Sequence, residues 1–118
     1  MVIESYQTED YSIGYDSQIS TITLKGSLRL NGLQESNVVV KLLNDVLDIE
    51  PPKITLNLRE LQFLNSSGIN MLSKFVIKVR QKKTINLVLL ASIKIPWQGK
   101  SLKNLQRLMP TLELQIDA

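Results

Sequence analysis

The sequence predicts an α/β fold in which a mixed β-sheet is packed by three or four helices. The first observation is an alternation along the chain. Segments with an apolar residue at every second position are followed by segments whose apolar residues recur every three or four positions. The second is that the predicted helices connect predicted strands, which is typical of parallel strands joined by right-handed crossovers. The third is the length of 118 residues, which predicts one domain, residues 1–118, around a single core.

Two strands are predicted before the first helix. The first is YSIGYD, residues 11–16, and the second covers residues 20–30. Both keep apolar side chains at every second position, and Gly26 marks an expected bulge or bend in the second strand. Asn31 and Gly32 then break the pattern. The apolar face consists of Tyr11, Ile13, Tyr15, Ile22, Leu24, Leu28 and Leu30.

The first helix is predicted over residues 33–50, because its apolar residues form one helical stripe. Pro51 and Pro52 end this helix, since neither proline has an N–H group to donate to a helical hydrogen bond. The next segment, residues 53–58, returns to a two-residue period and predicts a strand. The helical stripe consists of Val39, Leu42, Leu43, Val46 and Ile49, with Leu47 as a further candidate.

A second helix is predicted to begin within a residue or two of Ser67, and it carries one apolar stripe and one stripe of lysines. Residues 84–91 follow as a nearly unbroken apolar run, which is typical of a strand covered on both faces. This strand should lie parallel to residues 53–58. The apolar stripe consists of Ile69, Leu72, Phe75, Val76 and Val79, and the lysine stripe of Lys74, Lys78 and Lys82.

The rest of the chain predicts a third helix and a last strand. The helix follows Pro96, carries a stripe of leucines and is stopped by Pro110, and residues 112–116 form the strand. Trp97 is expected to be a partly buried anchor for this helix. The strands and helices together predict a core that contains Ile54, Leu56, Leu58, Leu72, Phe75, Val76, Val88 and Leu90.

The chain contains no histidine and no cysteine, which excludes several kinds of chemistry. A Ser-His-Asp triad, a thiolate nucleophile and every zinc site built from histidine or cysteine require these residues. The sequence also has no D-x-D-x-D spacing that would hold a hard cation. We therefore expect no catalytic residue, no metal ion and no cofactor.

Neither a membrane span nor an export signal is expected. No apolar run approaches the roughly 20 residues that cross a bilayer. The N-terminal residues lack a basic start followed by an apolar stretch, so no signal peptide is predicted. The cytoplasm is therefore the expected compartment.

Charge is divided unevenly along the chain. Residues 1–60 carry five basic and nine acidic side chains, whereas residues 61–112 carry nine basic side chains and no Asp or Glu. Such asymmetry indicates an anionic partner or ligand near the second half. A solvated basic face that keeps the protein in solution is an equally open interpretation.

The stretch LNSSG, residues 64–68, lies between a strand and the second helix, where α/β proteins commonly bind ligands and partners. Asn65, Ser66 and Ser67 all favour helix N-caps, and Ser67 is the simplest candidate for the cap. A helix needs only one N-cap residue, so capping does not account for the second serine or for Gly68. The spare serine indicates a phosphorylation switch. A helix N-terminus tolerates phosphate, while the surface gains about −1.5 to −2 charges.

The segment from Ile54 to Leu90, which contains NSSGIN, resembles the core of the STAS domain family, the anti-sigma-factor antagonists of bacteria. In that family a strand of alternating apolar residues runs into an Asp-Ser-Ser-Gly-like motif, and a helix and a buried strand follow. The resemblance in element order extends across nearly the whole chain. A narrower resemblance is to a cyanobacterial STAS-like regulator group, whose members have the sequence NSSGIN at this place. The resemblance implies a STAS-like single domain and a cytoplasmic regulator rather than an enzyme.

The resemblance also implies partners and residue roles. In the family, a serine kinase that doubles as a sigma-factor antagonist binds the STAS domain and phosphorylates a serine of the motif, and a PP2C-like phosphatase removes the phosphate. Carried over to this chain, Ser66 is the phosphoacceptor and Ser67 the second candidate. Asn65 departs from the pattern, since the family more often has Asp there. The implied partner-binding surface consists of Asn65, Ser66, Ser67, Gly68, Asn70 and Lys74.

Two other function classes stay open from the sequence. A constitutive interaction module would bind partners without phosphorylation, and Asn65 in place of Asp favours it. An anion- or nucleotide-binding STAS domain is suggested by the basic residues between positions 74 and 107, although the chain has no P-loop. Nucleic acid is not an expected partner, because residues 61–112 contain just three aromatic side chains on which bases would stack.

Overall fold

The computed structural model describes residues 5–30 and 33–117, the side chains of residues 33–37 excepted. Every predicted strand and helix is present, and a two-residue strand that no sequence signal marked precedes them. The predicted break at Asn31 and Gly32 lies outside the described residues. The elements are β1 (Tyr6–Gln7), β2 (Tyr11–Asp16), β3 (Thr21–Leu28), α1 (Leu33–Ile49), β4 (Lys53–Leu64), α2 (Ser66–Lys82), β5 (Asn86–Ser92), α3 (Pro96–Leu108) and β6 (Glu113–Asp117).

The six strands of the described residues form one mixed sheet in sequence order, from β1 to β6. β1, β2 and β3 pair antiparallel, whereas β3 to β6 are parallel, which confirms the predicted parallel pair of β4 and β5. Each pair of neighbouring parallel strands is connected through one helix, and every connection moves across the sheet in the same direction. Right-handed crossovers therefore place α1, α2 and α3 on the same face of the sheet. The register sets Ile22, Leu56, Leu89 and Leu114 side by side on that face.

The core lies between this face of the sheet and the helices. Most of the predicted core is confirmed, and Phe75 is only 3% exposed. The assignment of Val88 and Leu90 to the same core was wrong, because β5 pairs them with Thr55 and Asn57 on the opposite face. Val88 is nevertheless buried and Leu90 half-buried there. The confirmed core residues are Ile54, Leu56, Leu58, Leu72, Phe75 and Val76.

The apolar stripe of α1 is confirmed except at its end. Ile49 is 42% exposed, whereas Leu47 is 3% exposed and takes its place in the core. Ile49 is the last residue of the helix, and the chain turns at Glu50, where φ is 52°. The last turn is therefore only partly covered. No helix among the described residues is long and apolar enough to cross a membrane.

β4 extends six residues beyond the predicted end at residue 58. Its second half pairs with the second half of β3, as far as Leu28 opposite Leu64, after two register shifts at each of which β4 has one extra residue. One of these shifts lies between Gly26 and Ser27, so the pairing is irregular where a bulge or bend was predicted, although the extra residue, Gln62, belongs to β4. Gly26 has a φ of 89°, and a Cβ atom there would overlap the carbonyl oxygen of Asp10. This backbone conformation therefore requires glycine.

Candidate functional site at the NSSG loop

The loop of residues 65–68 joins the carboxyl end of β4 to the first turn of α2. α2 begins at Ser66, and both Asn65 and Ser66 are accessible to solvent, as predicted. The N-cap is Asn65, whose extended backbone lets its side-chain oxygen accept a hydrogen bond from the backbone N–H of Gly68 at 3.0 Å. The expectation that Ser67 caps the helix was wrong, because Ser67 is already the second helical residue.

Asn65 also fastens the start of α2 to the end of β3. Its Oδ1 atom accepts a second hydrogen bond, at 3.3 Å, from the backbone N–H of Leu30. Its own backbone N–H donates to the carbonyl oxygen of Leu28 at 3.4 Å. Both donors to Oδ1 are neutral amides, so the loop geometry requires an acceptor at this position and no charge.

Removing the acceptor at position 65 should loosen the loop, whereas adding a charge should not. Asn65→Ala is expected to lower the free energy of unfolding by about 1–2 kcal/mol, because the N–H groups of Leu30 and Gly68 lose their partner. Asn65→Asp should stay within about 1 kcal/mol of the wild type, because a carboxylate accepts the same two bonds and suits a helix N-terminus. Urea denaturation measures both values. Equal losses for the two variants would contradict the acceptor role.

Gly68 serves close packing and is itself buried. A Cβ atom at this position would overlap the side chain of Leu64. The first turn of α2 therefore lies directly on the last residue of β4. The implied role of Gly68 in partner binding does not extend to direct surface contact, since Gly68 offers almost no accessible surface.

Alanine at Gly68 should destabilise the protein although alanine favours helices. We expect Gly68→Ala to lower the free energy of unfolding by about 1–3 kcal/mol, because the added methyl group forces Leu64 to move. Gly99→Ala is the matched control, since Gly99 is also helical and a Cβ atom there meets nothing within 4 Å. The control should stabilise the protein by up to about 1 kcal/mol. Urea denaturation of both variants gives the comparison, and similar shifts for the two would contradict the packing role.

Ser66 and Ser67 are both exposed, in the first turn of α2. Neither hydroxyl forms a hydrogen bond with the residues that the structure describes. The first turn also contains no acidic side chain. Because Asn65 already caps the helix, both hydroxyls are free for a role outside the loop.

Several basic side chains of α2 form hydrogen bonds or an ion pair with other elements of the fold. Lys78 Nζ donates to Asn44 Oδ1 of α1 at 3.0 Å, and Lys82 Nζ lies 2.9 Å from a carboxylate oxygen of Glu50. The hydrogen bond with Glu50, and then the charge of Glu50, raise the pKa of Lys82. Arg80 donates to the carbonyl oxygen of Leu108 at 3.2 Å. Among the side chains that the structure describes, which exclude those of residues 33–37, no three acidic groups lie close enough to hold a metal ion.

Lys74 differs from its neighbours in the lysine stripe. It is exposed and makes no ion pair or hydrogen bond within the described residues. Together with Ser67 and Asn70 it lines a cleft between α1 and α2. The structure thus brings three of the predicted site residues together, whereas Ser66 and Asn65 do not line this cleft.

The sequence analysis missed Gln98, which is fully buried. β5 pairs with β4 only as far as Asn57, and beyond that point Gln98 Nε2 donates to the carbonyl oxygens of Leu58 and Leu61. Its Oε1 atom accepts from the backbone N–H of Ser92 at 2.8 Å. Gln98 therefore joins the ends of β4 and β5 to α3. Gln98 lies four residues before Leu102 and in phase with the leucine stripe of α3, so periodicity could have indicated its burial, but not its hydrogen-bond partners.

Trp97 supports the same strand end. It is half-buried against the core, which confirms the predicted anchor for α3. Its indole Nε1–H donates to the carbonyl oxygen of Leu61 at 3.2 Å. The end of β4 that leads into the NSSG loop is thus held by side chains of α3.

Comparison with known proteins shows the fold. No family model and no curated protein matches the chain. Apo-SiaC from Pseudomonas aeruginosa matches with a TM-score of 0.71 and 14% identity, over 96% of this chain and 94% of that chain. A chain from the complex of the diguanylate cyclase SiaD with its activator SiaC, also from Pseudomonas aeruginosa, matches with a TM-score of 0.69 and 13% identity, over 94% of this chain and 96% of that chain. The expected STAS-like α/β fold is confirmed.

Proposed function

We propose that the protein is a cytoplasmic signalling regulator of the anti-sigma-factor-antagonist type and not an enzyme. It binds a serine kinase or an anti-sigma-like protein through the NSSG loop and the start of α2, and phosphorylation of Ser66 weakens that complex. The observation that carries the proposal is that the helix cap and the candidate phosphoacceptor are different residues of the loop. Asn65 caps α2, so Ser66 is exposed without a structural task.

A phosphate on Ser66 is compatible with the fold. The first residues of a helix carry N–H groups without intrahelical partners, and the helix dipole favours negative charge there. No acidic side chain in the first turn of α2 opposes the phosphate. Because Asn65 Oδ1 already holds the N–H groups of Gly68 and Leu30, modification of Ser66 removes no hydrogen bond from the loop.

The same phosphate would change the surface that a partner contacts. Residues 61–112 carry basic side chains and no acidic ones, so an acidic partner surface is attracted to this half of the chain. Lys74 is exposed and unpaired among the described residues, and it presents such a charge on α2. About −1.5 to −2 charges on Ser66 would cancel part of this attraction and repel the partner.

The likeness to SiaC supports a regulatory role in general terms. SiaC is the activator of a diguanylate cyclase and forms a complex with it, so a chain of this fold acts by binding another protein. For the present chain the proposed partners are a serine kinase that acts as an anti-sigma factor and a PP2C-like phosphatase that restores Ser66. A constitutive interaction module is the second candidate, since Asn65 holds the loop without any charge.

Phosphate mapping on protein isolated from its own cells tests the proposal. We expect mass spectrometry to find phosphate on Ser66, to lose it in Ser66→Ala and to keep it in Ser67→Ala. Phosphate that remains in Ser66→Ala and disappears in Ser67→Ala would move the phosphoacceptor to Ser67. A protein that captures its partner and carries no phosphate on either serine would support the constitutive module.

A further inference from the structure

A cleft of about 300 Å³ opens between α1 and α2, beside the first turn of α2. This volume is at the lower end of the range for small-molecule pockets. Its floor is apolar and includes Leu43, Met71 and Phe75, all buried, together with the half-buried Val40. An apolar ligand group would pack against these side chains and cover the part of Val40 that solvent reaches.

The polar side chains of the cleft differ in the contacts that they make. Lys78 donates to Asn44 at 3.0 Å and thereby links α2 to α1 across the cleft. Ser67, Asn70 and Lys74 also line the cleft, and their side chains make no hydrogen bond or ion pair within the described residues. No Asp or Glu is among the described residues that line the cleft. These three side chains therefore offer hydrogen-bond donors and a cation to one anionic group.

We propose that this cleft binds an amphipathic monocarboxylate, an alkyl or aryl acid of medium length. The apolar part lies on Met71 and Phe75, and the carboxylate accepts from Lys74 and from the donors beside it. Of the two lysines that line the cleft, Lys78 is held by Asn44 and Lys74 has no hydrogen-bond partner among the described residues. One free ammonium group matches one carboxylate, whereas a nucleotide polyphosphate requires several free cations. The inference rests on the cleft alone and is independent of phosphorylation at Ser66.

Decanoate is a suitable probe, used below the concentration at which it forms micelles. Calorimetry should show saturable binding of one decanoate per chain, and amide NMR shifts should concentrate around the cleft. Lys74→Ala should weaken binding by about tenfold, because the carboxylate loses a charge-assisted hydrogen bond. Lys103→Ala is the matched control, since Lys103 is exposed on α3 and does not line the cleft, and its affinity should equal that of the wild type.

Two further measurements complete the experiment. They are the binding of decanol to the wild type and the binding of decanoate to a variant whose cleft is filled by a larger side chain. Decanol lacks the charge and should bind about tenfold more weakly than decanoate. Val40→Phe should abolish saturable binding, because the larger side chain occupies the apolar floor. The absence of saturable decanoate binding to the wild type would overturn the proposal. Equal affinities of decanoate for the wild type and for Lys74→Ala, or of decanol and decanoate for the wild type, would overturn it as well, and these results do not depend on the folding of Val40→Phe.

Discussion

Replacing Phe75 by alanine should lower the free energy of unfolding by about 3–5 kcal/mol. Phe75 is 3% exposed and belongs to the cluster that joins α2 to the helical face of the sheet. Removing its ring deletes buried apolar contacts and leaves a cavity that the close-packed interior fills only in part. Urea denaturation monitored by circular dichroism measures the loss.

Ile77→Ala is the matched control for Phe75→Ala, since Ile77 lies on the same helix and is 39% exposed. This control should cost less than about 1 kcal/mol. An unfolding free energy that Phe75→Ala leaves unchanged would mean that α2 does not pack in the register described. Comparable losses for both variants would point instead to a general effect on the helix.

Replacing Gln98 by leucine should lower the free energy of unfolding by roughly 2–4 kcal/mol. The side chain would keep a similar size, but the carbonyl oxygen of Leu58 and the backbone N–H of Ser92 would lose their hydrogen bonds with it. Each buried polar group without a partner costs about 1–3 kcal/mol. The carbonyl oxygen of Leu61 keeps the bond from Trp97.

Two measurements test the role of Gln98. Urea denaturation gives the loss of stability, and Gln81→Leu is the control, because Gln81 is exposed on α2 and should change stability by less than about 0.5 kcal/mol. Amide hydrogen exchange at Ser92 should also become faster in Gln98→Leu, since this N–H then lacks its acceptor. Unchanged exchange together with unchanged stability would show that Gln98 does not join the two strand ends.

Local patterns were sufficient to predict the order of the elements. The two-residue period located β2, β3 and the first half of β4, and prolines marked the ends of α1 and α3. The same patterns did not predict which face of the sheet a residue occupies where apolar residues follow one another without interruption. In β5 nothing in the sequence separates Val88 and Leu90 from their buried neighbours, because only the pairing with β4 assigns each residue to a face.

The site was predicted in position more accurately than in detail. The cap chemistry placed the start of α2 correctly, but Asn and Ser cap helices about equally well, so the sequence did not identify Asn65 as the cap. The second bond of Asn65, from Leu30, joins residues 35 positions apart and depends on the tertiary fold. Gln98 was missed for the same reason, since two of its three partners, the carbonyl oxygens of Leu58 and Leu61, lie on β4, 40 and 37 residues away.

The proposed switch is tested most directly by comparing two affinities for the captured partner, that of Ser66-phosphorylated protein and that of unmodified protein. We expect the phosphorylated form to bind at least about tenfold more weakly, which corresponds to about 1.4 kcal/mol. Ser66→Ala should bind like the unmodified protein, and Ser66→Asp should lose affinity only in part, because one carboxylate has less charge than a phosphate. Equal affinities for all four forms would contradict the switch.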